Sequence, residues 1–357
     1  VTVDTRAFAE KLRALTPARF HVVTLPDFFI DHFVRVPKWL EVTPLWQAVH
    51  ARGGGNVPTP GQHFQPGGNA ANSALALARL GVSVHLVTRT SAFGQAYIEQ
   101  TLGRMGVDTR HVKGDGALAV TTAFEFQEER PANVMLSDPG SVAQFGPEEL
   151  DANAWTLLEA ADLVLVANWS QNQRGSALVR AVAERARANG TLVVLDSGDP
   201  SVRGPERHAA ALRELREHVL ALPELDVYAF NENELRQLVG RDLRGAEEEM
   251  AAARELAVMR GPNGLDLHTA RFAATLADGN ESVVPTFRVE PLRVTGAGDA
   301  WNAGDIVGHL ADLAPEERLT LANAVAGLYV SGKEGLAPTL ADVIAFLDAD
   351  ARLNKLA

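Results

Sequence analysis

The chain has 357 residues, with 33 Lys or Arg against 45 Asp or Glu, a formal net charge of −12. That length suits about two domains, or one large α/β domain with an appendage, and the acidity argues against a general nucleic-acid binder, which needs a cationic face. The absence of cysteine excludes a disulfide framework, a thiolate nucleophile and a Cys-ligated zinc site, and no apolar run approaches the ~20 residues of a membrane-spanning helix.

The first residues place Asp4, Arg6, Glu10, Lys11 and Arg13 among apolar neighbours. This reads as an amphipathic helix and not as a signal peptide, so a cytoplasmic protein is expected. Residues 21–25 form a short β-rich run. Helical periodicity over 70–80 is closed by Gly81, which suits the left-handed position after a helix end. A strand at 82–88 and a helix at 93–105 follow. Residues 162–166 are continuously apolar, as in a strand buried on both faces. A helix at 175–188, a buried strand at 191–195, a helix at 212–220, a strand at 227–230 and helices at 232–238 and 247–256 continue the alternation. Helical patterns at 298–313, 315–331 and 340–353 close the chain. Repeated βα units with two-sided apolar strands predict an α/β fold, a doubly wound, mostly parallel sheet flanked by helices.

Two stretches break the rhythm. Residues 33–66 are rich in Pro, Gly and aromatics, and 117–137 alternate like a half-exposed antiparallel hairpin. They predict a small β lid over the carboxyl edge of the sheet, inserted in a main domain of residues 1–32, 67–116 and 138–357. The alternative is a pair of ordinary surface loops.

The sharpest local signal is Thr295-Gly296-Ala297-Gly298-Asp299-Ala300, running through Trp301 to Gly304. Gly296, Ala297 and Gly298 let backbone approach a ligand. The helix that follows aims free N–H groups and its positive dipole end at the same spot, which makes an anion site. Asp299 at its rim suits a base that deprotonates a hydroxyl attacking a bound phosphate; Asp is equally a common helix N-cap. Gly67-Gly68-Asn69-Ala70-Ala71-Asn72 combines exposed backbone with two amides, which suits a polyhydroxylated ligand or a tight turn with an Asn cap. Asn231 and Glu234 stand at i and i+3 of a helix start. That pair suits Mg²⁺ held largely through water or a capping box. The run from Gly327 to Glu334 nearly spells a P-loop, but Glu334 replaces the Ser or Thr and a helical pattern precedes it, so it reads as coincidence. Trp301 likewise breaks a dinucleotide fingerprint.

Together these motifs resemble the PfkB, or ribokinase-like, family of carbohydrate kinases. The family's two signatures resemble Gly67-Gly68-Asn69-Ala70-Ala71-Asn72 through Gly81, and Thr295 through Gly304. Asn231–Glu234 resembles its NxxE motif. A strand at Val258-Met259 with Gly261 and Gly264 resembles the stretch leading into its nucleotide loop, and Leu321-Ala322-Asn323-Ala324 its penultimate helix.

The resemblance implies a ribokinase-like fold and an ATP- and Mg²⁺-dependent transfer of the γ-phosphoryl group to a hydroxyl of a small sugar or polyol. Under it, Asp299 is the base and Gly296, Ala297 and Gly298 form the anion hole. Asp31 grips sugar hydroxyls, helped by Gly67, Gly68, Asn69, Asn72 and Asn168. Asp196, Asn231 and Glu234 take the phosphate side, with Asn231 and Glu234 carrying Mg²⁺ through water. Gly261, Gly264 and Asn323 lie by the nucleotide. Arg293 stands six residues before Asp299, where the family usually has Asp. Its charge argues against the monovalent cation that this Asp helps to hold in related kinases. A nucleoside kinase, with Phe28, Phe29, Phe33, Trp39 and Trp46 near a base, and a non-catalytic binding protein stay open as alternatives, as do ADP as donor and a homodimer through the lid.

Overall fold

The apolar runs become the middle of an eight-stranded sheet. Across it the order is Asn280–Pro285, Phe272–Ala277, Gly264–His268, Val227–Asn231, Leu192–Asp196, Leu163–Ala167, His21–Leu25 and Ser83–Leu86. The six strands from Gly264–His268 to Ser83–Leu86 are parallel, and the two at the other edge pair antiparallel. The computed structural model describes residues 3–129, 132–261, 263–333, 335–349 and 353.

Alternate side chains of one strand point to opposite faces, so each central strand feeds two cores. Leu163, Leu165 and Ala167 pack with apolar residues of the helices Asn69–Arg79, Ala297–Leu310 and Pro315–Ser331. Val164 and Val166 face the helices Gly175–Asn189 and Gly245–Arg260. Every residue of Leu163–Ala167 is buried, which is why that stretch is apolar without alternation. The strand His21–Leu25 sits between Ser83–Leu86 and Leu163–Ala167. The chain winds to one side of it and then crosses to the other. Such a reversal opens a crevice at the carboxyl ends of the strands, where open α/β sheets bind ligands.

A second sheet has the order Gly61–Gly67, Phe29–Val36, Val120–Phe126 and Ala132–Asp138. Its first strand starts at Phe29, inside the stretch assigned from sequence to the main domain. The 33–66 stretch is not all β: it contains the helix Trp39–Ala51, with Pro44 inside. The helix covers one face of the small sheet. Val34, Val36, Val42 and Phe126 make a core there, with Trp46 edge-on to Phe124 and Phe126. Without it those side chains would face water.

The expected strand at Val258-Met259 is the end of the helix Gly245–Arg260. Val258 is 85% exposed, and two apolar residues on the wet face of a helix mimicked a strand. The strand instead begins at Gly264. Gly327–Ser331 of the P-loop-like run is helical, while Glu334, residues 130 and 131 of the expected hairpin and residues 350–352 of the expected last helix lie outside the described residues. No described helix is long and apolar enough to cross a membrane.

Candidate active site

Two adjoining cavities open at the carboxyl ends of the parallel strands. The first, of about 980 Å³, is lined by Asp31, Gly68, Asn69, Asn72, Asn168, Asp196 and Asp299, among others, and by the small-sheet residues Thr121, Asn133 and Ser137. The second, of about 820 Å³, is lined by Thr269, Phe287, Val289, Trp301 and Asn323. Asn231, Asn233, His268, Val294 and Gly298 border both.

Gly296, Ala297, Gly298 and Asp299 sit at that junction, where the helix Ala297–Leu310 begins. Gly296 has φ +83°, and a Cβ there would lie 2.4 Å from the Tyr329 hydroxyl. Tyr329 itself donates to the Thr295 carbonyl at 2.9 Å, fixing the loop. The Ala297 N–H is turned back to the Val294 carbonyl at 3.1 Å, so Ala297 leaves the expected anion hole. Among the described residues, the N–H groups of Gly298 and Asp299 have no acceptor. These are the free donors that a helix start must leave.

Asp299 is buried and its Oδ2 accepts from Asn72 Nδ2 at 2.9 Å. Burial, then the charge of Asp196, pushes its carboxyl well above the usual range. Asp196, at the end of its strand, accepts from the Gly198 N–H at 2.9 Å and from Asn302 Nδ2 at 2.6 Å, and burial raises it too. Asp31 lies on the small-sheet strand Phe29–Val36 and not at the end of the first main strand. It is pushed up to about 6 by burial and then by the charge of Asp27, while a bond from Thr121 pulls it down. Gly67 is required beside it, because a Cβ would lie 2.2 Å from Asp31 Oδ2.

Asp27, missed from the sequence, is the buried support of this side. It accepts from the Asn69 and Ala70 N–H groups at 2.8 Å each and from Asn168 Nδ2 at 2.9 Å. Asn168 holds a left-handed conformation, φ 53°. Asn302 was also missed. Its place three residues after Asp299, on the same helix face, was the available signal.

Asn231 and Glu234 form the capping box: the Asn231 side chain accepts from the Asn233 and Glu234 N–H groups, and Glu234 accepts from the Asn231 N–H at 3.0 Å. Glu234 nevertheless lines the first cavity. Burial and then Asp196 push its carboxyl well up. Crowded buried carboxyls of this kind fit a divalent cation, which would favour their ionised forms.

Two of the three nucleotide-side expectations change. Gly261 caps the helix Gly245–Arg260, and Gly264 pairs with Val227 at the amino end of its strand. Both lie at the edge of the sheet away from the cavities; the cavity end of that strand carries His268. Asn323 does line the second cavity, but its side chain accepts from Trp301 Nε1 at 3.0 Å and donates to the Pro285 carbonyl at 3.3 Å. Of the five aromatics weighed for base stacking, only Phe29 lines a cavity. Arg293 Nη2 donates to the Lys333 carbonyl at 2.9 Å, and the guanidinium acts on Tyr329. A positive charge therefore stands beside the end of the helix Pro315–Ser331, close to the loop that leads to Gly296.

The model of the pfkB family carbohydrate kinases matches residues 42–341. The chain belongs to this family. Within that likeness, it is 30% identical over 298 residues to the ATP-dependent ribose-1-phosphate kinase of Halopiger xanaduensis, covering 82% of this chain and 90% of that protein. It is 24% identical over 300 residues to the ribokinase of Haemophilus influenzae, covering 81% of this chain and 90% of the other. The solved structure of Arabidopsis thaliana ribokinase with ribose and ATP superposes with a TM-score of 0.73 at 19% identity, covering 93% of this chain and 99% of that one. The pfkB assignment agrees with the resemblance seen in the motifs, and the ribokinase-like fold agrees with the expected doubly wound sheet.

Proposed function

We propose that this pfkB kinase moves the γ-phosphoryl group of ATP to a hydroxyl of a small sugar or sugar-like polyol held in the first cavity. The observation that carries the reading is the junction itself: a buried carboxylate, Asp299, beside two unpaired backbone N–H groups, between a polar cavity and a more apolar one. The apolar cavity takes the adenosine end of ATP. Asp31, Asn69 and the Gly67-Gly68 backbone hold the sugar, and Asp27 and Asn168 keep that wall in place.

The acceptor O–H donates to Asp299. Its oxygen forms the new bond to the γ-phosphorus as the bond to the β–γ bridging oxygen breaks, with the electron pair leaving on ADP and the proton passing to Asp299. The N–H groups of Gly298 and Asp299 face the charge that develops on the migrating group. Asn72 keeps the base oriented. Asn231 and Glu234 would hold Mg²⁺, which would supply positive charge to neutralise the phosphates. No step runs through a monovalent cation. The small sheet acts as a lid that keeps competing water out. Its free edge strand, Ala132–Asp138, exposes Val134, Met135 and Leu136, which supports a homodimer through the lid.

Initial rates of ADP release with Mg²⁺ over a panel of sugars, sugar derivatives and nucleosides test the reading. Sugar-dependent ADP release is expected. Turnover with nucleosides alone, or with none of the compounds, would overturn it. Substituting ADP for ATP checks the donor, and sedimentation velocity checks the dimer.

A further inference from the structure

The helix Ala297–Leu310, which carries Gly298 and Asp299 in its first turn, holds two further titratable groups that the proposed transfer does not use, Asp305 and His309. With Trp301 they stand at steps of four, on one stripe of the helix. Along that stripe lies the strand Gly264–His268, whose Asp266 and His268 point to the same face. His268 stacks on Trp301 with 4.9 Å between ring centroids, and a Cβ on Gly298 would lie 3.3 Å from His268 Cε1. Asp266 meets His309, and Arg318 from the helix Pro315–Ser331 completes the group.

Arg318 donates to Asp266 through both arms of its fork, from Nη1 to Oδ2 at 2.7 Å and from Nη2 to Oδ1 at 3.2 Å. Nη1 also donates to Asp305 Oδ1, and Nη2 donates at 2.8 Å to the hydroxyl of Thr275 on the strand Phe272–Ala277. His309 Nε2 lies 3.2 Å from Asp266 Oδ2, 3.4 Å from Asp305 Oδ2 and 2.8 Å from Arg318 Nη1. Burial opposes a charge on that ring, and so does the guanidinium, but the two carboxylates prevail. Asp266, Asp305, Arg318 and Thr275 are buried. Two helices and two strands thus meet in one bonded cluster.

Buried ions of this kind stabilise a fold no better than apolar residues of similar volume, so stability does not account for the cluster. What it supplies is direction. The two helices meet along Gly304 and Gly308, where a Cβ would lie 2.7 Å from Ala322 Cα and 2.5 Å from Arg318 Cγ. Such close contact does not fix how one helix slides or turns on the other, because apolar contact is non-directional. Charge-assisted bonds to a rigid fork do fix it. Asp305 is six residues from Asp299, about 9 Å along the helix axis, so a shift at one is carried to the other. The tied elements also reach the site at their far ends. His268 borders both cavities, and Tyr329 holds the Thr295 carbonyl.

We propose that Arg318, Asp266, Asp305 and His309 are positioning residues for phosphoryl transfer. They set the slide and turn of the helix Ala297–Leu310 on its neighbours, and so aim the Gly298 and Asp299 N–H groups and the Asp299 carboxylate at the junction of the cavities. This role rests on the sugar-kinase reading above and deepens it by naming what holds the base in place.

The test measures kcat and both KM values with ATP, Mg²⁺ and the acceptor that the panel selects. It uses the full chain, Asp305→Ala, Asp305→Asn and an apolar variant combining Asp266→Val, Asp305→Leu, His309→Leu and Arg318→Met, at a temperature where circular dichroism shows each protein folded. A misplacement of about 1 Å costs about a hundredfold in rate, so kcat should fall about tenfold to a hundredfold in Asp305→Ala and in the apolar variant. The KM values for ATP and for the acceptor should stay within about twofold, because only the aim of the reacting groups has changed. Asp305→Asn keeps an acceptor for Arg318 and should recover part of the loss. Normal kcat in the folded apolar variant would overturn the proposal and leave the cluster as packing, and a change confined to a KM would overturn it too. If the apolar variant does not fold, Asp305→Ala and Asp305→Asn carry the same comparison. Amide hydrogen exchange of residues 296–302 reads the seating without turnover: faster exchange there in Asp305→Ala supports the proposal, and exchange equal to the wild type refutes it. A wild type that transfers to no acceptor would sink the kinase reading alone, and the exchange measurement would still decide this role.

Discussion

Replacing Asp31 by Asn should make the protein more stable and a worse catalyst, and the gain in stability should depend on pH. Burial and the charge of Asp27 raise the Asp31 carboxyl from 3.8 to about 6. Between those values the unfolded chain has released the proton and the folded one still holds it. Stability therefore falls as pH rises through that window and stays low above it. A rise of roughly two pH units, at about 1.4 kcal/mol each, amounts to about 3 kcal/mol at neutral pH. The neutral amide of the Asp31→Asn variant carries no such cost. Because the change is spread over the window, the stability gap between variant and wild type should widen by about 2 kcal/mol from about pH 4.5 to about pH 7.5. Urea unfolding of both proteins at the two pH values measures it. The same variant should bind the acceptor about 1–3 kcal/mol more weakly, read as a higher acceptor KM with little change for ATP. A gap that stays constant with pH would show that the carboxylate is not destabilised where it sits, and the electrostatic account of the site would fail.

Asp299→Asn should keep ATP binding, measured by calorimetry, and lose about 10²–10⁴ in kcat. In the wild type, kcat/KM should drop as pH falls through the raised Asp299 pKa, because the protonated acid is no base; near-normal turnover of the variant would remove Asp299 from that role. Activity should depend little on K⁺ when Na⁺, K⁺ and tetramethylammonium are compared at constant ionic strength, since the Arg293 guanidinium already bonds the Lys333 carbonyl; strong selective activation by K⁺ would contradict this, and activation appearing in Arg293→Asp would support it. Burial lowers the pKa of His309, but the charge of Asp305 and bonds to Asp266 and Asp305 outweigh it and carry the ring to about 9 from 6.5. Its stabilising effect is fully present below about pH 6.5 and is lost as pH rises through about 9, so His309→Gln should flatten the fall in thermal stability across that window.

The frame was legible in the sequence because its signals are local. Buried parallel strands need unbroken apolar runs, as at Leu163–Ala167. The ligand-facing turns at Gly67–Gly68 and Gly296–Gly298 need residues without bulk, and those runs stand out in any single chain. Asp299 and Asn72 stand out in the sequence for the same reason, since each opens or follows such a turn, and the fold brings the two side chains together. What failed was also local: Val258-Met259 looks like a strand because nothing in the chain says which face of a helix meets water, and Gly261 and Gly264 were then placed by the mistaken strand.

Tertiary structure decided everything that depends on which ends of different elements meet. Sequence could not show that Asp27, Asn69 and Asn168, up to 141 positions apart, form one hydrogen-bonded support, or that Asp196 raises both Asp299 and Glu234. Coulomb effects and desolvation fall off with distance in space and not along the chain. For that reason a carboxylate's charge state and the turning of the Ala297 N–H back to the Val294 carbonyl both waited for the fold. The order of residues settled which chemical groups were available and where turns would expose them; the packing of strand ends against helix starts determined which of those groups share a site.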